Sequence, residues 1–207
     1  MSAAAKKLSR MLAELGRVSD EPGQLTRTFL SPAMRRANAL VGAWMREAGL
    51  AVREDAVGNL IGRLESKTPR AKTLLLGSHL DTVRDAGRFD GPLGVLLPIV
   101  VLSELRARRV EFPFAVEVLG FSEEEGVRFS SAYLGSKGFT GQLRAADTKL
   151  RDARGVSARE VLETLFDKKF SPPPAAHRAR DLLGYLEIHI EQGPVLEDEK
   201  RDRKSVV

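Results

Sequence analysis

The sequence predicts an α/β fold, a mixed and mostly parallel sheet flanked by helices. Strand-like and helix-like segments alternate along much of the chain. One strand candidate, Thr73–Leu76, is a continuous apolar run, as expected of a strand covered on both faces. Polar clusters then follow directly after strand candidates, where open α/β sheets place their ligands.

The elements follow in order. Leu8, Met11, Leu12 and Leu15 fall at helical spacing and mark an amphipathic first helix. Ser31-Pro32 opens a second, with an N-cap and a proline in the first turn. Ala37, Leu40, Val41, Trp44 and Ala48 share one face of it, and Gly49 closes it. Ala51–Asp55 and Asn59–Leu64 read as short strands around the turn Ala56-Val57-Gly58. Thr73–Leu76 runs into Gly77-Ser78-His79-Leu80-Asp81, and a glycine-rich stretch from Asp85 to Gly94 leads into a helix through about Arg108. The next strand, Phe114–Phe121, runs into Ser122-Glu123-Glu124-Glu125-Gly126. Ser157 and Glu160 form a capping box for a helix ending near Phe166, and Ser171-Pro172-Pro173-Pro174 is a loop. Leu186–Glu191 alternates as a strand should: Leu186, Ile188 and Ile190 share one face, and Glu187, His189 and Glu191 the other.

Composition narrows the classes. With 207 residues, 43% of them hydrophobic, the chain can bury one substantial core. It has no cysteine, which excludes disulfides and thiolate ligands and suits a cytoplasmic protein. The N-terminus lacks the apolar stretch of a secretory signal. The longest apolar run, Val95–Leu102, is interrupted by Pro98 and falls far short of the roughly 20 residues a membrane span needs. The formal charge of +5 is scattered, and only 6% of residues are aromatic, so stacking platforms for nucleic acid are scarce. A mildly basic surface that attracts anionic small molecules is the better reading.

His79 and Asp81 lie past one strand, Glu124 and Glu125 past another, Asp90 in the glycine-rich loop and His189 on the last strand. Imidazole nitrogen and carboxylate oxygen suit zinc or manganese, and a carboxylate can bridge two ions. Each cluster alone has an ordinary reading: His-X-Asp pairs are common, acidic turns are usually solvated, and His189 can face solvent. His177, beside the proline run, reads as a surface residue. Joint placement of the clusters at strand ends is what points to a site.

Four segments in this order resemble the hydantoinase/carbamoylase branch of the M20-type metallohydrolases, most closely the allantoate amidohydrolases and N-carbamoyl-L-amino-acid hydrolases. They are Gly77–Val83, Gly87–Val95, Phe121–Phe129 and His189–Pro194, with weaker matches at Trp44–Gly49, Asp55–Asn59 and Leu134–Lys137. The resemblance implies a zinc-exopeptidase-like catalytic domain and two divalent metal ions, Zn2+ or Mn2+. It implies His79, Asp90, Glu125 and His189 as metal ligands, with Asp90 bridging. Glu124 would be the general base, Asp81 a carboxylate that orients the His79 ring, and Gln192 a substrate contact. It also implies a cis peptide from Asp90 to Gly91, a ureido or carbamoyl small-molecule substrate, and a homodimer for a full-length protein. By the same comparison residues 1–197 would form the N-terminal part of the catalytic domain and residues 198–207 a divergent charged tail. The lid and dimerisation domain, and the rest of the catalytic domain with a final histidine ligand, are expected beyond this sequence, so the chain alone is expected to be nearly inactive. The alternatives are an M20 peptidase or an inactive truncated metal-binding fragment.

Overall fold

A computed structural model describes residues 1–201 of the protein. Helix α1 (Ala3–Leu15) and helix α2 (Pro32–Glu47) begin on Ser2 and Ser31, whose side chains accept from Ala5 N and Met34 N. Such caps satisfy amide donors that a helix leaves free in its first turn. Between and beyond them the chain forms β1 (Ala51–Glu54), β2 (Leu60–Leu64), β3 (Thr73–His79), α3 (Pro92–Ala107), β4 (Ala115–Phe121), α4 (Leu134–Phe139), α5 (Ala158–Phe166), β5 (Leu182–Leu186) and α6 (Val195–Asp198). The strands make one mixed sheet in the order β1-β2-β4-β3-β5.

Pairing β1–β2 and β2–β4 is antiparallel, whereas β3 runs parallel to both β4 and β5. The three parallel strands therefore end at the same edge, with His79 directly beside Phe121. On one face α1, α2 and α3 pack a core that includes Leu15, Met34, Val41, Leu96, Ile99 and Val118, each at most 1% exposed. Removing such side chains from water stabilises the fold by roughly 1.5–3 kcal/mol apiece. The other face carries a smaller cluster of Ile61, Leu75, Leu119 and Phe139.

Three expectations need correction. The last strand is Leu182–Leu186, not Leu186–Glu191. Its ladder with β3 ends at the pair Leu76 and Leu186, so the alternating residues after it form an extended segment beyond the ladder. Second, His177 is not a free surface residue: its Nε2 lies 2.8 Å from Glu117 Oε2, and the ring packs beside Phe139. Glu117 is 2% exposed in the middle of β4 and also accepts from Arg63. A buried carboxylate needs such partners, and it draws the proline loop onto the sheet. Third, there is no cis peptide among the described residues. Gly91 instead turns the chain at φ 81°, ψ −60°, a conformation that the lack of a Cβ makes accessible.

Among the described residues no helix is long and apolar enough to cross a membrane. Of the charged tail expected over residues 198–207, the part from residue 202 on lies outside the described residues.

Candidate metal centre

The parallel strands deliver their polar residues to one spot. His79 is the last residue of β3, Glu124 and Glu125 follow β4, Asp90 sits in the turn before α3, and His189 lies three residues past β5. One donor atom from each of His79, Asp90 and His189 lies within 4.8 Å of the others, and the same holds for His79, Glu124 and Glu125. The two imidazole rings stack at a centroid distance of 5.7 Å, and their Nε2 atoms are 3.5 Å apart. Asp90 Oδ1 lies 3.3 Å from His189 Nε2 and 4.0 Å from His79 Nε2.

The tautomers follow from the other ring nitrogens. His79 Nδ1 meets the carbonyl oxygen of Asp81 at 2.9 Å, and His189 Nδ1 meets that of Ile190 at 2.9 Å. A carbonyl can only accept, so each Nδ1 carries its proton and each Nε2 faces the other ring. The gap between the two Nε2 atoms is ringed by carboxylates and calls for positive charge, either a proton shared by the nitrogens or a metal ion. Glu125 Oε1 is also buried with no hydrogen-bond partner. A divalent cation fits this donor set, and imidazole with carboxylate is the ligand chemistry of zinc and manganese.

The electrostatics agree. Burial opposes protonation of His79, but the nearby Asp81 and Glu124 outweigh it and raise its pKa to about 9. The pocket thus calls for positive charge at His79, whether a proton or a metal ion supplies it. Burial pushes the Glu124 and Glu125 carboxyls above their ordinary range; for both, His79 pulls back while Asp81 and Asp90 push further. Glu123, 1% exposed, is pushed up more strongly, first by burial and then by Asp81, while its Oε1 accepts from Gly126 N.

Asp81 lies beside His79, but its carboxylate makes its hydrogen bonds to the acidic turn. Its carboxylate accepts from Glu124 N at 3.0 and 3.1 Å and from Glu125 N at 3.1 Å, while His79 Nδ1 is 3.5 Å away. The backbone carbonyl of Asp81 orients the imidazole, and its side chain fixes the acidic turn. Gln192 is exposed, and its Nε2 donates to Asp90 Oδ1 at 2.9 Å. Sequence reasoning passed over Arg27 and Glu187. Arg27 is tied to the loop that carries Asp81: its Nε donates to Leu80 O and its main-chain N–H to Thr82 Oγ1. Glu187 binds residues of β3 and β5.

Gly91 gives a sharp test of this packing. A Cβ there would lie 2.6 Å from Cε1 and Nδ1 of the His79 ring. Gly91→Ala is expected to add about 1–2 kcal/mol of backbone strain and to displace the ring. Metal affinity should fall by roughly 10–100-fold, the range for disturbed support of a ligand. Chelator competition measures it, and unchanged affinity would show that the ring is free to move.

A mixed α/β sheet with imidazole and carboxylate donors gathered at its parallel strand ends defines a candidate metal-binding α/β protein. Residues 75–204 match Peptidase family M20/M25/M40, and the chain belongs to that family. It is 43% identical over 197 residues to allantoate deiminase of Arabidopsis thaliana, spanning 90% of this chain and 36% of that protein. It is also 43% identical over 194 residues to N-carbamoyl-L-amino acid amidohydrolase of Geobacillus stearothermophilus, spanning 93% of this chain and 47% of that one. A hydantoinase/carbamoylase family amidase from Burkholderia ambifaria superposes with a TM-score of 0.83 at 37% identity, over 94% of this chain and 47% of that one. The chain therefore spans less than half the length of each of these relatives.

Proposed function

We propose that this chain carries the metal centre of an amidohydrolase that cleaves the C–N bond of a ureido or carbamoyl substrate, with allantoate as the leading candidate. The observation that supports it is the pair of Nε2 atoms 3.5 Å apart, ringed by Asp90, Glu124 and Glu125. In this reading His79, Asp90 and His189 would hold one Zn2+ or Mn2+ ion, and Glu125, with Asp90, would help to hold a second. When bound, the ions supply Lewis acidity toward the scissile carbonyl and acidify water.

The chain's own residues do the rest. Glu124 accepts a proton at its carboxylate from the attacking water and returns it to the leaving nitrogen. Its raised pKa brings its basicity closer to neutral pH, where a general acid–base works best. Asp81 holds Glu124 and Glu125 in place through their amides. Gln192, whose Nε2 donates to Asp90 Oδ1, is the substrate contact in this reading. N-carbamoyl-L-amino acids are the second reading, because a relative of that name matches at the same 43% identity.

Metal titration with parallel assays tests both. A full-length protein carrying this segment, stripped with chelator, is expected to take up two ions per molecule when Zn2+ or Mn2+ is returned. Hydrolysis should appear only then, faster on allantoate than on an N-carbamoyl-L-amino acid or a dipeptide. Uptake without hydrolysis of any of the three would remove the catalytic reading, and faster dipeptide cleavage would make the protein a peptidase.

A further inference from the structure

The β3–β5 ladder ends at the pair Leu76 and Leu186. On β3 three more residues follow, Gly77, Ser78 and His79, and beside them the chain from Glu187 to His189 has no strand pairing. Yet His79 and His189 face each other at 3.5 Å. Something other than the ladder must hold the two chain ends in register.

The contacts of Glu187 do this. Ser78 Oγ donates to Glu187 Oε1 at 2.5 Å, and Tyr185 Oη lies 2.9 Å from Glu187 Oε2. Tyr185 Oη is also 3.1 Å from the Gly77 carbonyl oxygen, so its single proton is shared between two acceptors. The carboxylate thus receives one hydroxyl from the residue before His79 and another from β5, two residues before itself. A planar carboxylate with two acceptor oxygens meets both hydroxyls at once, and hydrogen bonds to a charged acceptor are the stronger kind. The chain also presses close from below: a Cβ on Gly94 would lie 2.6 Å from Ile188 O and 2.7 Å from Ser78 Cβ. Between Glu187 above and Gly94 below, the backbone that carries His189 has little freedom.

We propose that Glu187 is a positioning residue that clamps the segment carrying His189 to the end of β3 and so sets the spacing of the two imidazoles. The inference rests on the metal-centre reading and deepens it, because the clamp has no chemical part of its own. Partners of metal ligands of this sort tune affinity by roughly 10–100-fold when removed.

The test compares the whole chain with Glu187→Ala, Glu187→Gln, Tyr185→Phe and His189→Ala, using metal affinity by chelator competition and the visible spectrum of the Co2+-loaded protein. Glu187→Ala is expected to bind metal about 10–100-fold more weakly and to shift the Co2+ spectrum toward that of His189→Ala. Glu187→Gln should recover most of the affinity, since the amide still offers one acceptor and both hydroxyls can reorient. Tyr185→Phe, which deletes one hydroxyl from a strand at the sheet edge, should fall in between, and it carries the test if Glu187→Ala fails to fold. Wild-type affinity and spectrum in folded Glu187→Ala, or in folded Tyr185→Phe where Glu187→Ala does not fold, overturn the inference. So does a lowered urea midpoint with metal affinity unchanged, which would make Glu187 a fold residue only. If His189→Ala binds metal as tightly as the wild type, the metal-centre reading itself fails and takes this inference with it. If His189→Ala loses metal and Glu187→Ala does not, the clamp alone is wrong.

Discussion

In a full-length protein carrying these motifs, Glu124→Gln is expected to lower turnover by about 10²–10⁴-fold, the contribution typical of a positioned general base, while leaving metal content unchanged. Glutamine keeps the shape of the side chain and one acceptor oxygen, but its amide cannot take a proton from water at neutral pH. Backbone geometry should survive, because Asp81 holds this turn through the main-chain amides of residues 124 and 125 and not through their side chains. The two neighbouring glutamates separate by this experiment. Glu125 presents a buried oxygen without a hydrogen-bond partner and is expected to lose metal on the same change. Metal analysis beside the rate assay decides: loss of an ion from Glu124→Gln would show that residue to be a ligand and transfer the base to another group. The pH dependence points the same way. Burial raises the Glu124 pKa, so the basic form is lost as pH falls through that raised value, and the acid limb of the rate profile should lie above pH 4.5, the ordinary value of a glutamate side chain. In Glu124→Gln that limb should disappear.

Much of the frame was legible in the sequence because local signals and tertiary demands agreed. Ser31 before Pro32, and Ser157 with Glu160, form the caps that their spacing suggests. The apolar run at Thr73 became a strand between two neighbours, and the polar residues after it stand at the parallel strand ends. Where the reading slipped, two signals competed. In Leu186–Glu191 the polar residues have separate tasks, His189 at the candidate site, Glu187 on Ser78 and Tyr185, and Glu191 accepting from Leu196 N, so the alternation looks like a strand without a ladder. The true strand, Leu182–Leu186, is apolar but contains Gly184 and lies at the sheet edge, with Leu183 and Leu186 more than half exposed. Helix α4 was missed because Gly135 and Gly138 weaken its propensity. Tertiary packing favours them, since a Cβ on Gly138 would lie 2.5 Å from the Val57 side chain. Asp81 was placed correctly and given half its role, because sequence spacing cannot tell a side-chain oxygen from the carbonyl of the same residue. Glu187 and the pair His177–Glu117 depend on partners 60–109 positions away, which no local pattern announces.

Arg27→Met is expected to destabilise the fold by about 1–3 kcal/mol, the range for a buried acceptor left without its donor. Arg27 was one of many scattered basic residues in the sequence, yet it is fully buried. Its charge is not what stabilises: burial, partly offset by Asp81 and Asp20, lowers its pKa to about 10, so the cation is less favoured in the folded state than in water. The sign of this linkage means the charge opposes folding at neutral pH, and that opposition eases only as pH rises above about 10. Hydrogen bonds are what stabilise. Nε donates to Leu80 O at 2.7 Å, and one terminal nitrogen donates to Val18 O at 2.9 Å and Leu15 O at 3.2 Å. Methionine fills similar volume and removes the buried charge, and Leu15 O keeps its bond from Val18 N. Leu80 O and Val18 O lose this donor, at about 1–3 kcal/mol for each one stranded. Lysine is expected to do little better, since one ammonium on an unbranched stem cannot span from the end of α1 to the loop that carries Asp81. Because that loop also fixes Glu124 and Glu125, variants that still fold should bind metal more weakly as well. Urea unfolding monitored by Trp44 fluorescence measures the first effect and chelator competition the second. A midpoint within error of the wild type for Arg27→Met would mean that water or a shifted backbone satisfies those carbonyls, and that Arg27 holds neither the end of α1 nor the metal loop.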